Sequence, residues 1–282
     1  MLAASCLLTL TSTVAGAQQP AAAAPAADSG DLAKKLSNPI SDLVSVPLQF
    51  NWQQEVGPLE LSQFILNLQP VMPFEVNESW NMIARVIIPF IGQPPFLVNG
   101  LGESGIGDIT ASFFFSPRTK STFTWGVGPA FVVPASYQPT IGSGQFSIGP
   151  TVVALKQHDK WTYGVLMNQV WSVAGDERRS DVNRLFLEPF LAYQATKTLT
   201  LTIQSESTAD WEADATSSGI GLAETEEWTV PINFEVAKLS TFGHFPASYQ
   251  LGVGGYPVHP DSGPSWKIRA AIIILLPKEH KP

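Results

Sequence analysis

The feature that most limits what this chain can fold into is an alternation of apolar and polar side chains, recurring in segments of about ten residues between turn residues. Twelve such segments can be marked between Leu43 and Leu276. A two-residue period puts successive side chains on opposite faces of a strand, so each segment carries one apolar face and one mixed face. In the first, Val44, Val46, Leu48, Phe50 and Trp52 oppose Ser45, Gln49, Asn51 and Gln53. In the fifth, Phe123, Trp125, Val127, Phe131 and Val133 oppose Thr122, Thr124, Gly126 and Gly128.

Charged residues keep to the mixed face. Arg85, Asp108, Arg184, Glu188, Glu206, Glu235, Lys267 and Arg269 all fall there, and no Asp, Glu, Lys or Arg stands in the middle of an apolar face. A soluble sandwich turns its apolar face inward, whereas a membrane barrel turns it to lipid, so alternation alone fits both. Connection lengths separate them. Turns at residues 75–78, 117–120, 157–160, 194–197 and 240–245 are brief, while those at 92–107, 135–144, 174–182, 209–227 and 258–265 are longer. Outer-membrane barrels have short periplasmic turns and long outer loops, which places both chain ends in the periplasm. On that orientation Trp80, Trp125 and Trp161 fall near the inner ends of strands, and Trp52, Trp171, Trp211, Trp228 and Trp266 near the outer ends. All eight tryptophans thus act as interface anchors.

Composition agrees. Charged residues are 14% of the 282, against roughly 25% in soluble domains. The net charge of −8 argues against a nucleic-acid partner. Beyond the N-terminus no stretch has the ~18 apolar residues of a spanning helix. The fold expected is therefore all-β: a transmembrane antiparallel up-and-down β-barrel of about twelve strands over residues 41–278.

Leu2 to Val14 followed by Ala15-Gly16-Ala17 reads as a signal peptide over 1–17. No Lys or Arg occurs in the first 33 residues, which points to a start further upstream. The only cysteine, Cys6, lies in this segment, with a lipoprotein reading of Ala4-Ser5-Cys6 as the minor alternative. Residues 18–40 read as an Ala/Pro-rich spacer, with one helical turn over Asp31 to Leu36. Pro70, Pro129, Pro150 and Pro189 sit inside strands, where each removes a ladder donor, so bulges or register breaks are expected there.

Chemistry-bearing patterns are sparse. Gly100 to Gly105 matches G-x-G-x-x-G but precedes a strand instead of a helix, which makes it a glycine-rich outer loop. His158, His244, His259 and His280 have no nearby Ser and acid partners in a strand, and no zinc-like spacing occurs, so neither an enzyme nor a cofactor or metal site is expected. Glu206, Asp210, Glu212, Asp214, Glu224, Glu226 and Glu227 form an acidic run, read as a solvated loop ahead of a site for divalent cations.

Asn38 to Gln49, Leu68 to Phe74, Gly105 to Ile109, Trp125 to Ala130, Gln169 to Asp176, Trp228 to Pro231 and Leu276 to Lys278 together resemble a large bacterial family of outer-membrane transporters. That family is linked by name to meta-pathway phenol degradation, and some members carry the misleading label neuromedin U. The resemblance covers nearly everything from about Leu32 to Lys278, in the same order. It implies an outer-membrane barrel, supplies no catalytic residue and assigns no cargo.

The function expected is passive passage of small, hydrophobic or aromatic molecules through a lumen whose eight charged residues tune selectivity. The same charges would alternatively form a salt-bridged plug, because side chains can largely fill a barrel of this size. A closed structural or adhesive barrel is the second reading, and a barrel-embedded hydrolase the third. Expected partners are outer-membrane lipid and lipopolysaccharide, the outer-membrane assembly machinery and an unidentified small-molecule cargo.

Overall fold

The computed structural model describes residues 29–95, 100–119, 121–136, 138–213, 227–243 and 245–276. Among them one helix, α1 (Ser29–Leu36), precedes fifteen strand segments. These are β1 (Val44–Val56), β2 (Leu61–Leu68), β3 (Val71–Glu75), β4 (Trp80–Gln93), β5 (Glu103–Ile106), β6 (Ile109–Pro117), β7 (Phe123–Val133), β8 (Gln145–His158), β9 (Trp161–Gly175), β10 (Asn183–Gln194), β11 (Leu199–Gln204), β12 (Ser207–Asp210), β13 (Trp228–Phe242), β14 (Phe245–Val258) and β15 (Trp266–Leu276).

The fifteen segments make twelve barrel strands. Three are interrupted: β2 and β3 both pair β1 and β4, β11 and β12 both pair β10 and β13, and β5 continues β6 along β4. Every ladder is antiparallel, and β15 closes on β1 from Leu276 opposite Val44 to Trp266 opposite Gln54. The sheet therefore keeps no free edge, the condition a strand protein must meet in lipid.

The outward face is the apolar one. Phe50, Phe234 and Leu251 are 55%, 58% and 67% exposed, as side chains facing acyl chains must be in the isolated chain. Aromatic pairs gather at both rims. Trp80 and Trp125 meet edge-on at the short-turn end, with Trp161 against Tyr193. Trp211 meets Trp228 edge-on at the long-loop end, and Trp52 stacks on Phe64.

The prolines act differently from one another. Pro70 lies in the gap between β2 and β3. Pro129 and Pro150 stand opposite each other with no register shift on the ladder they share, and the pairings on their far sides simply lapse for two residues. Each ring turns its missing donor away from the common ladder, so the expected bulge is replaced by a short unpaired stretch. At Pro189 the lapse coincides with the gap between β11 and β12.

Part of the interior is filled by apolar side chains. Ile83, Phe114, Val153, Leu155 and Leu166 point inward from β4, β6, β8 and β9 and form one apolar cluster. Its sixth member, Ile40, comes from the segment ahead of β1. Burying each of these side chains contributes about 1.5–3 kcal/mol. Nearer the long-loop end, Val182 of the β9–β10 loop packs on Ala130 and Val170. The adjacent β7–β8 loop is tied down by Arg179, which donates to the carbonyls of Pro139 and Gly142.

Residues 29–42 belong to the interior and run as a strap at the short-turn end. Gln157 Nε2 donates to the Lys34 carbonyl at 2.9 Å and Gln194 Nε2 to the Gly30 carbonyl at 2.8 Å. The helix is α1, two residues longer at its start than the single turn expected. The boundary drawn from sequence at residue 41 runs through this packed segment. The expected signal peptide lies outside the described residues.

Candidate functional site

Beside the apolar cluster the interior keeps a cavity. A cavity of about 190 Å³ lies between the strap and the middle of the barrel, against inward residues of β1, β10, β11, β13, β14 and β15. Period two on β11 brings Thr200, Thr202 and Gln204 to its wall, with Gln49 from β1 and Gln250 from β14. Phe190, Leu239 and Ile273 make the same wall partly apolar.

At the head of this cavity a hydrogen-bonded lattice crosses the lumen. Arg85 Nη1 on β4 reaches Glu188 Oε2 on β10 at 3.4 Å, and its Nη2 donates to Gln69 Oε1 at 3.2 Å. Gln69 Nε2 donates to Gln49 Oε1 at 3.0 Å, and Asn51 to the same oxygen at 3.4 Å. Arg269 Nε then donates to Asn51 Oδ1 at 2.7 Å and its Nη1 to Glu235 Oε1 at 2.8 Å. Its Nη2 also pairs with Glu206. Lys267 Nζ meets Glu206 Oε2 at 3.3 Å, and Gln204 donates to Glu235 at 2.9 Å. Three cations face three carboxylates, so the lattice carries no formal charge.

The two halves of the lattice differ. Lys267 and Arg269 are each 3% exposed and Glu235 7%, held by several partners at once. Charge-assisted bonds inside protein at such distances are strong, and losing one partner strands the other. The Arg85–Glu188 contact is long for such a pair, with the two side chains 16% and 13% exposed. Beyond the lattice, Tyr256 accepts from Gln53 Nε2 at 2.9 Å, and the Lys267 ammonium lies 5.3 Å from its ring centroid.

Six of the eight charges singled out in the sequence thus meet: Arg85, Glu188, Glu206, Glu235, Lys267 and Arg269. Two do not. Arg184 is exposed near the long loops and pairs with Asp210 at 2.9 Å across the ladder, so its four-residue spacing from Glu188 produces no contact. Asp108, in the gap between β5 and β6, accepts from the Ser143 backbone at 2.8 Å and holds the β7–β8 loop. The acidic run is likewise divided. Glu206 enters the lattice, Asp210 takes Arg184, and Glu212 accepts from Asn183 at 3.4 Å. Asp214, Glu224 and Glu226 lie outside the described residues, as do His244 and His280.

Several members were not found from sequence. The amides Gln49, Asn51, Gln69 and Gln204 carry no charge to mark them, although alternate spacing already put the first three on the polar face. Ile40 gave no signal, because nothing local says that a residue before the first strand folds back into the barrel.

In the outer β9–β10 loop, hydrogen bonds from the Arg178 guanidinium and its backbone hold the Asp176 carboxyl down to about 2. The shift marks a loop braced by its own ion pair, away from the lumen.

No family model matches this chain, and no curated protein matches it. Solved structures do. An outer membrane channel from Pseudomonas putida F1 aligns with a TM-score of 0.62 at 12% identity, over 83% of this chain and 96% of the channel. The NanC porin aligns at 0.51 and 10% identity, over 83% of this chain and all of the porin. At such identities the likeness speaks for architecture: this chain has the closed twelve-stranded antiparallel barrel fold of outer-membrane channels and porins.

Proposed function

We propose that the protein is an outer-membrane pore for passive passage of small molecules of low net charge that combine an apolar, often aromatic, body with hydrogen-bonding groups. The observation that carries this is the cavity wall. Thr200, Thr202, Gln49 and Gln250 offer hydrogen bonds alongside Phe190, Leu239 and Ile273, and the lattice above them is neutral. A wall of this kind compensates both parts of an amphipathic solute as it leaves water. A lattice of equal and opposite charges gives neither an anion nor a cation a net attraction. The fold shared with channels and porins supports the same reading, with the short turns read as periplasmic.

The test is single-channel conductance of the refolded protein in planar bilayers, with vesicle uptake of a small aromatic alcohol alongside. Discrete conductance is expected, turned toward cations by Arg85→Gln and toward anions by Glu188→Gln. A correctly folded barrel that conducts nothing and admits no solute refutes the pore.

A further inference from the structure

Within the lattice, the Arg85–Glu188 pair keeps bonding capacity to spare. Among the described residues Glu188 has Arg85 as its one hydrogen-bond partner, at 3.4 Å, and Arg85 adds only Gln69. A carboxylate accepts about four hydrogen bonds, and a guanidinium has more donors than these contacts use. Glu206 and Glu235 differ, since each already takes two donors from among Lys267, Arg269 and Gln204. Arg85 and Glu188 both border the cavity, so a donor and an acceptor with capacity left stand side by side on its wall.

Strand geometry puts an apolar surface next to each. Val71 stands directly opposite Arg85 across the β3–β4 ladder, hence on the same face. Phe190 follows Glu188 by two residues on β10, again on the same face. Both border the cavity and pack on the apolar cluster behind it. The cavity's 190 Å³ accommodates one ring with a small substituent, since an apolar cavity of about 150 Å³ is enough to hold benzene.

Charge balance decides which substituent is accepted. A carboxylate guest that takes Arg85 strands Glu188, and an ammonium guest that takes Glu188 strands Arg85. Either leaves a charge inside the protein without its counterion. A neutral group that donates to Glu188 and accepts from Arg85 leaves the pair intact, whereas a group that only accepts offers Glu188 nothing. A carboxamide carries its donor and acceptor on separate atoms, which suits two partners 3.4 Å apart, while a hydroxyl must serve both from one oxygen. We propose that Arg85, Glu188, Val71 and Phe190 form a recognition subsite of the pore for an aromatic ring bearing a primary carboxamide. This rests on the pore reading above and names the chemistry that its cavity selects.

The experiment reads the dwell time of solute-induced blocks of single-channel current in planar bilayers, a quantity that diffusion of the solute through lipid does not affect. Benzamide, N,N-dimethylbenzamide, benzoate and benzylammonium are added in turn to wild type, Glu188→Gln and Phe190→Ala, each shown to be folded by heat-modifiable migration in gels. In wild type, benzamide is expected to block about tenfold longer than the other three, the penalty a hydrogen-bonding site sets on analogues that leave it unpaired. Glu188→Gln is expected to pass the longest block to benzoate, and Phe190→Ala to shorten the benzamide block. Equal dwell times in wild type overturn the proposal, as does a benzamide preference unchanged by both substitutions. Either result leaves a conducting pore standing, whereas a folded wild type that conducts nothing overturns the pore and this proposal together.

Discussion

Glu188 and Glu206 stand directly opposite each other between β10 and the interrupted β11–β12 strand, bracketed by the register pairs Phe190 with Gln204 and Leu187 with Ser207. Opposed like charges destabilise a sheet. Here the ladder lapses between them at Pro189, and each carboxylate turns to a cation from elsewhere in the barrel. Arg85 serves Glu188, and Lys267 with Arg269 serves Glu206. The break in the sheet and the lattice across the lumen are thus one feature.

That arrangement makes the two carboxylates unequal. Glu206→Gln leaves the buried Lys267 without its only ion pair among the described residues and Arg269 with Glu235 as its one carboxylate there, and is expected to cost about 3 kcal/mol. Glu188→Gln breaks a single, longer contact and leaves Arg85 its bond to Gln69, so it should cost distinctly less. Urea unfolding in lipid vesicles measures both, and equal losses would contradict the division of the lattice.

The apolar filling predicts a second contrast. Phe114→Ala empties a fully buried position in the cluster around Ile40 and should cost about 3–5 kcal/mol. Phe115→Ala, one residue on and facing lipid, should cost distinctly less. The same unfolding measurement applies.

Leu251 and Gln250 test the facing of β14. Leu251→Lys puts a charge on the lipid side near mid-strand and should cost about 2–4 kcal/mol, while Gln250→Lys turns into the cavity and leaves folding yield near wild type.

For the outer loop, Arg178→Ala removes the main cause of the low Asp176 pKa, which should return from about 2 toward the ordinary value of 3.8. The sign follows from linkage. A carboxyl held low when folded favours the folded loop above its unfolded pKa and loses that contribution as pH falls through the folded value. Carboxyl NMR titration of wild type and variant reads both midpoints.

The alternation of residues 44–56, 123–133 and 266–276 determined the barrel, its twelve strands and the facing of each side chain. A period of two is a local property, and one charge on the wrong face in lipid is costly enough to keep the pattern clean. The charged inward residues were legible for the same reason. What the sequence left open was decided by closure. Whether an inward Ile83 or Phe114 meets water or another side chain depends on what folds back into the lumen, and Ile40 does so from outside the repeating pattern. Arg85 and Glu188 are 103 residues apart and on strands that never pair, so their contact exists only once the sheet has curved round. Local pattern decides which way a side chain points, and only the closed barrel decides what it finds there.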